Sequence, residues 1–497
     1  MAATTEYEVV VGMEVHAELD TESKVFCSCR AEFGAAPNTR VCPVCLGMPG
    51  ALPVLNKRAV EFTIKAALAL NCQITPYSKF FRKNYFYPDL AKGYQITEFD
   101  APIGHDGWVD IEVDGVVKRI GIRRVHLEEE TAKLTHAGDD IISASSSLLD
   151  FNRSGIGLME IVTEPDIRSA EEARAYLNKL RAVLVAVGVS DCRLEEGSMR
   201  CEANISVRPK GSQTYGNLVE LKNIASFRAV HRAIQYESAR QVQLIEGGGE
   251  VHRETRHWDD ARGETVFMRS KESAAEYCYF PEPDLMPIEI SDAWISEIRQ
   301  SMPELPDARA SRYEADYGLA SEDARQIAES RELWAFFEKA VETAAAGTAA
   351  GAGGEGGREV AKWLLGEVSA AVNASGIELS QSKLQPEHVA QLIALVASGQ
   401  ISGKIAKSVF EEVWAGGKAP ADVVRERGLS QISDESELRA MVRAAIEANP
   451  AAVEDFRAGK DRAITFLVGQ VMKASRGRAN PGATNRLLRE ELEAYTK

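Results

Sequence analysis

Cysteine is scarce in this chain: eight among 497 residues, too few for a scaffold stapled by disulfides. No apolar run reaches the ~18 uncharged residues that a membrane-spanning helix requires. Residues 1–6, ahead of the first strand-like run, have neither a basic start nor an apolar stretch, so no secretory signal is expected. Basic charge is in deficit. Lys and Arg total 58 against 74 Asp and Glu, a net charge of −16, and a field of that sign repels phosphate. A general nucleic-acid coat is excluded, and any RNA contact must come from a local basic face. Glycine-rich phosphate loops are missing too. No G-x-G-x-x-G follows a strand, Gly399–Lys404 lacks the Ser/Thr and spacing of a P-loop, and no G-x-S-x-G elbow occurs. Ser145, Ser146 and Ser147 have no glycine-rich hydrolase context.

What remains is an ordinary globular composition, 45% hydrophobic and 27% charged, long enough for roughly three domains. Alternating runs at Glu8–Leu19, Trp108–Val113, Lys118–Glu129, Leu158–Val162, Met199–Val207 and Glu264–Met268 predict strands. Helical periods predict helices at Asn56–Leu70, after Ser169 (with Glu172 three residues on, a capping box) and from Ser226 to about Ile245. Strands outnumber helices and the connections are irregular. The expected fold is therefore α+β, a large N-terminal domain on an antiparallel sheet. Beyond Asp292 only helical periods remain, among them Arg358–Ala374, Val453–Ser475 and Asn485–Tyr495. Ala344–Gly357 is low in complexity and reads as a loop or linker. A glycine break at Gly416-Gly417 suggests a further boundary. The expected domains are 1–295, an all-α middle domain 296–416 and a small all-α tail 417–497.

The cysteines are not scattered evenly. Cys27 and Cys29 are followed, after 12 residues, by Cys42 and Cys45. Two close pairs across a short loop suit a tetrahedral zinc knuckle. Four thiolates leave no open position, so such a zinc is structural. The alternative is a redox CxxC beside chance cysteines. Cys72, Cys192, Cys201 and Cys278 stand alone and read as small buried side chains.

Acidic residues gather at three places. In the strand Gly12–Leu19, Glu14, His16 and Glu18 share one face, about 6.8 Å apart in succession, and Val15, Ala17 and Leu19 share the other. Glu14 and His16 offer a bed for a hard cation, or simply a solvated face. Glu128, Glu129 and Glu130 are adjacent carboxylates that repel one another unless solvent or a cation intervenes. Glu160 interrupts the apolar run Leu158–Val162, which is costly unless it is exposed, paired or bound to metal. Two further patches mix charge with other chemistry. Arg82–Pro88 combines cations and aromatics, as a nucleotide or RNA surface does, or a Tyr-rich turn. Lys473, Arg476, Arg478, Arg486 and Arg489 concentrate positive charge near the C-terminus, a possible phosphate-contact face.

Seven blocks, in order, closely resemble the GatB family, the B subunits of aspartyl/glutamyl-tRNA amidotransferases. They are Val11–His16, Lys83–Asp89, His126–Thr131, Leu158–Asp166, Glu196–Ile205, Tyr279–Asp284 and Phe466–Met472. The resemblance implies an N-terminal cradle domain, a helical domain and a tail like the YqeY protein. It implies a cytoplasmic heterotrimer with an amidase subunit, which releases ammonia from glutamine, and a small third subunit. Members of the GatB family use ATP and Mg2+ to phosphorylate the side-chain carboxylate of misacylated Glu-tRNA(Gln) or Asp-tRNA(Asn). Ammonia, channelled from the amidase, then displaces phosphate. By resemblance Glu14, His16, Glu129 and Glu160 are the catalytic magnesium ligands, with Glu128 and Glu130 as alternatives to Glu129. Lys83, Tyr85 and Arg200 are candidates for ATP or substrate contacts. Cys27, Cys29, Cys42 and Cys45 complete a zinc set that varies in the family. The basic tail residues match the part that grips tRNA, and Ala344–Gly357 looks like an insertion. A non-catalytic, zinc-stabilised tRNA-binding scaffold is the competing reading, and an inward-facing carboxylate cluster discriminates against it.

Overall fold

The computed structural model describes residues 6–137, 145–270, 277–347, 354–429, 432, 434–457, 460, 462–475 and 478–494. The chain divides into two compact units, Met1–Leu305 and Pro306–Lys497.

The first unit is built on a 12-stranded sheet. Tyr7–Glu18 lies near its middle, antiparallel to Gly157–Thr163 on one side and to Met199–Pro209 on the other. Beyond Gly157–Thr163 follow Val116–Glu129, Tyr94–Glu98, Phe80–Asn84 and Cys278–Pro281. On the other flank lie Val219–Lys222, Glu254–Asp259 and Glu264–Ser270. Val219–Lys222 and Glu254–Asp259 run parallel; the other pairs in the sheet are antiparallel. The expected α+β class with an antiparallel sheet is therefore the one observed.

Alternation along Tyr7–Glu18 decides which face does what. Val11, Met13, Val15 and Ala17 are fully buried, and they join one apolar cluster with the helices Lys57–Ala69, Ala170–Val187 and Phe227–Glu246. The even-numbered positions face the other way, and there Glu8, Glu14, His16 and Glu18 carry polar groups. Each helix starts at a side-chain cap. Asn56 accepts from the Arg58 amide, Ser169 from Glu172 and Ser226 from Ala229, satisfying donors that a first helical turn leaves free. Half of the expected capping box is rerouted: the Glu172 carboxylate accepts from the Arg168 amide at 2.7 Å and pairs with Lys118.

The expected boundary at 295 falls inside a helix, Asp292–Gln300. Its Ile298 is buried in the same cluster as the sheet, so the unit extends to Leu305. The second unit is all helical among its described elements and holds two apolar clusters, one from Tyr313 to Val424 and one from Ile432 to Leu492. Gly417, at φ 74°, ends one helix, and Pro420 opens the next, Pro420–Arg427. Val423 and Val424 of that helix pack into the earlier cluster. The change of core therefore comes near residue 430 rather than at 416, where the glycines only mark a turn. Arg358–Ala374 is interrupted by a π-helical turn, Leu364–Val368. Val453–Ser475 is two helices, Pro450–Arg457 and Arg462–Ala474. Residues 348–353 of the low-complexity stretch lie outside the described residues. No helix among the described residues is long and apolar enough to cross a membrane.

Candidate active site

Strand register brings the separated acidic residues together. His16 stands opposite Glu160 on one neighbour and Arg200 on the other, and Glu160 in turn stands opposite His126. Directly opposed residues share a face. The polar face of four adjacent strands thus collects Glu14, His16, His126, Glu128, Glu160 and Arg200. His16 Nε2 lies 3.4 Å from Glu160, 3.7 Å from Glu128 and 3.9 Å from Glu14. His126 Nε2 lies 3.6 Å from both Glu128 and Glu160. Arg124 Nη2 donates to the other oxygen of Glu160 at 3.1 Å. Buried Nε of Arg124 and Nδ1 of His126 have no hydrogen-bond partner among the described residues.

The electrostatics follow from crowding. Burial, and then the charge of Glu160, raise the Glu14 carboxyl from 4.5 to about 7. Against the cost of burial, the hydrogen bond and charge of Glu160 lift His16 from 6.5 to about 9. Glu160 is held well below the carboxylate range, burial being outweighed by His126 and His16. Glu128 is lowered in the same way, chiefly by its hydrogen bond with His126. A cluster this acidic, in which a proton on His16 offsets three carboxylates, is the donor chemistry that accepts a divalent cation in the proton's place. Glu14, His16 and Glu160 offer ligand atoms within 4.8 Å of one another, as do His126, Glu128 and Glu160.

Glu129 does not join this group. The strand Val116–Glu129 runs on through the carboxylate triplet, and period-two alternation turns Glu128 toward His16 and Glu129 to the opposite face. There Glu129 accepts from the Ile96 amide at 2.8 Å and pairs with Lys92 at 2.6 Å. Glu128 occupies the place expected of Glu129. Glu130 is buried in an ion pair with Arg200, so Arg200 reaches a carboxylate beside the cluster rather than open space. Lys83 stands on the same face, near Glu128, Glu160 and Tyr279, its charge favoured by these neighbours against burial. Tyr85 packs against Tyr277, ring centroids 5.3 Å apart. Burial, with Asp89 next, pushes its hydroxyl upward. Sequence reasoning did not single out Arg124 or His126. The signal for His126 was its place two residues before Glu128, on the same strand face.

The four cysteines also meet. The sulfurs of Cys27, Cys29, Cys42 and Cys45 lie within 4.8 Å of one another. The Cys42 amide donates to Cys45 Sγ at 3.1 Å. A hydrogen bond from Cys27, aided by that amide and by Lys24, lowers the Cys45 thiol to about 4, and burial raises Cys29 to about 11. Four convergent sulfurs, with Cys45 shifted toward the thiolate, fit a tetrahedral zinc.

The basic tail residues are less uniform. Lys473 lies in the last turn of the helix Arg462–Ala474. Arg478 donates to the Ser475 carbonyl at 3.3 Å. Arg486 pairs with Glu490 at 3.2 Å and Glu435 at 3.4 Å, and Arg489 donates to Asn485 at 3.2 Å. Arg476 lies outside the described residues.

A sheet face that gathers three carboxylates, two imidazoles and two guanidiniums, several of them shifted far from their ordinary titration, has the make-up of an enzyme's active site. Residues 9–296 match the model of the GatB/GatE catalytic domain, and residues 336–492 match that of the GatB domain. The chain belongs to the GatB family. Over 487 residues it is 52% identical to the B subunit of the aspartyl/glutamyl-tRNA(Asn/Gln) amidotransferase of Carboxydothermus hydrogenoformans, covering 98% of this chain and 99% of that one. The subunits of the same name from Moorella thermoacetica and Brevibacillus brevis are 52% and 51% identical, and each is covered over its full length.

Proposed function

We propose that this chain is the B subunit of a tRNA-dependent amidotransferase, the component that activates and amidates the side-chain carboxylate of Glu-tRNA(Gln) or Asp-tRNA(Asn). Ammonia does not displace oxide from a carboxylate. ATP converts that carboxylate to an acyl phosphate, releasing ADP. Ammonia then attacks the acyl carbon, phosphate leaves, and Gln-tRNA(Gln) or Asn-tRNA(Asn) results. Phosphoryl transfer of this kind depends mainly on positioned positive charge.

Glu14, His16, Glu128 and Glu160 would hold Mg2+, which when bound supplies charge neutralisation to the phosphates. The protein's own groups supply the rest. Arg124, whose guanidinium donates to Glu160, offers positive charge beside the carboxylates. Lys83 offers an ammonium on the same face, and His126 holds Glu128 and Glu160 in orientation. Cys27, Cys29, Cys42 and Cys45 would hold a structural Zn2+ that stiffens a loop with little core of its own. An amidase partner that supplies ammonia, a small third subunit, a tRNA-gripping tail and a cytoplasmic setting complete the reading.

One observation carries it: in a chain that the family matches across both halves, Glu14, Glu128 and Glu160 surround His16 within ion-pair distance on one sheet face. A tRNA-binding scaffold has no use for a buried carboxylate cluster that costs desolvation. The test is ATP hydrolysis by the complex, with ammonium chloride replacing glutamine. Turnover is expected only with charged tRNA and is expected to vanish in Glu14→Ala while tRNA binding persists. An active Glu14→Ala complex would refute the assignment.

A further inference from the structure

Lys24 is 0% exposed, and a buried ammonium is costly unless an opposite charge meets it. Its Nζ donates to two main-chain carbonyls, Arg40 at 2.8 Å and Phe151 at 3.1 Å, and among the described residues no carboxylate pairs with it. Carbonyl dipoles solvate a cation but do not neutralise it. The opposite charge lies in the cysteine knuckle. The Lys24 amide donates to the Cys29 carbonyl at 2.9 Å, and the Lys24 charge acts on the Cys45 sulfur. Gly155 fixes the approach. A Cβ there would lie 3.6 Å from Cys45 Cβ and 3.7 Å from Lys24 Cδ, so both side chains converge on one glycine, held at a φ of 83° that favours glycine. Four thiolates exceed the charge of one Zn2+ by two. A filled knuckle is therefore an anion, and Lys24 is a buried cation beside it.

The two carbonyls that Lys24 joins belong to different segments. Arg40 stands just before Cys42 in the knuckle, and Phe151 lies in the turn that leads into the strand Gly157–Thr163. Side-chain amides sew the same segments together. Asn38, at φ 58°, accepts from the Phe151 amide at 2.8 Å and donates to the Leu149 carbonyl at 3.0 Å. Asn152 accepts from the Arg40 amide and donates to the Ala36 carbonyl, both at 2.7 Å. Ser154 donates to the Cys45 carbonyl at 3.2 Å. On its other side the turn reaches the active face. The Gly155 amide donates to the Glu130 carbonyl at 2.8 Å, and the Glu130 amide to the Ile156 carbonyl at 2.9 Å. Glu130 holds Arg200, which stands opposite His16. The chain of contacts thus runs from knuckle to turn to carboxylate centre, with Lys24 at the first joint.

We propose that Lys24 is the counter-charge of the zinc-bound thiolates and a positioning residue for the active face, making the turn 149–156 depend on metal in the knuckle. With zinc bound, the ammonium faces an anion and stays in place. Without the metal that anion is not formed, and Lys24 is a buried charge with no counterpart. It leaves for water, its bonds to Arg40 and Phe151 break, and the turn that leads toward Glu160 loosens. This rests on the zinc reading of the four cysteines given above.

Two measurements on the assembled complex test it. Competition with a chromophoric chelator reads zinc affinity, and hydrogen exchange at residues 149–156 reads the turn. Lys24→Met keeps the stem and removes the charge. Lys24→Gln keeps two N–H donors without the charge, and stands in if Lys24→Met fails to fold. Each is expected to weaken zinc binding about 10- to 100-fold. Cys45→Ser, which empties the knuckle, is expected to speed exchange in the turn and to lower kcat for amidation with ammonium chloride as donor. Adding either Lys24 change to Cys45→Ser is expected to recover part of both, because it removes the charge that the first change left unpaired. A role in packing alone gives losses that add. Unchanged zinc affinity in both Lys24 variants, or faster exchange in the double variants than in Cys45→Ser, overturns the counter-charge. A Cys45→Ser complex with a loosened turn and wild-type kcat overturns the positioning role. A wild-type complex that binds no supplied zinc overturns the knuckle reading, and this inference with it.

Discussion

Glu98 offers a sharp test of how the sheet holds its active face in place. It ends the strand Tyr94–Glu98 and is 3% exposed. One carboxyl oxygen accepts from the Ile103 and Leu127 amides at 3.0 and 3.1 Å. The other lies 3.1 Å from Ser78 Oγ, which itself donates to the Ala101 carbonyl at 2.6 Å. The single Ser78 proton is thus engaged, and a protonated Glu98 completes the chain by donating to Ser78. Burial accordingly raises the group from 4.5 to about 7. A raised folded-state value means that the native state binds the proton more tightly. Stability from this group is full below pH 4.5, declines as pH rises toward 7, and is flat above, a difference of about 3 kcal/mol. Gln mimics the protonated form: its oxygen accepts both amides and its NH2 donates to Ser78. Glu98→Gln should match wild type near pH 4.5 and exceed it in thermal midpoint by several degrees at pH 8. Thermal unfolding of both proteins across that range is the assay. A Glu98→Gln protein destabilised equally at both ends would refute the reasoning.

Two further outcomes follow from the site geometry. Zinc measured on the purified chain should approach one ion per molecule, and Cys45→Ser should lose it and lower the thermal midpoint; unchanged metal content in Cys45→Ser would exclude the knuckle. In the tail, Arg489→Glu should reduce the slope of log tRNA affinity against log salt by about 1, the signature of a phosphate contact. Arg486→Glu should do less, because Arg486 is already engaged by Glu490 and Glu435; equal slopes in both variants and wild type would remove this face from tRNA binding.

Local order was legible in the sequence, and long-range order was not. The alternation of Glu14 and His16, the caps at Asn56, Ser169 and Ser226 and the paired cysteines are each written within a few residues. The Glu128–Glu130 triplet was ambiguous because three identical residues carry no phase. Only the pairing of His126 with Glu160 fixes which one faces inward. The β-bulge at Arg123, where Val162 pairs with Arg124 and Thr163 with Ile122, likewise depends on where two separate strands fall out of step. Glycine misled in the other direction. Gly416-Gly417 looked like a boundary between domains, but a left-handed residue followed by Pro420 is also how one helix turns into the next. What separates those cases is the burial of Val423 and Val424.

The position of Tyr7–Glu18 has a consequence for the order in which the protein is made. It is the first strand of the chain and yet lies in the interior of the sheet. Its two neighbours are Gly157–Thr163 and Met199–Pro209. During synthesis its backbone donors and acceptors therefore wait for partners until about two hundred residues have left the ribosome, roughly 10–40 s at ordinary elongation rates. Through that interval a strand carrying Val9, Val10, Val11 and Val15 stands open to wrong pairing, and Glu14 and His16 wait for their companions. The active face cannot assemble until Glu160 has been made, about halfway through this unit, although its first residues are among the earliest translated.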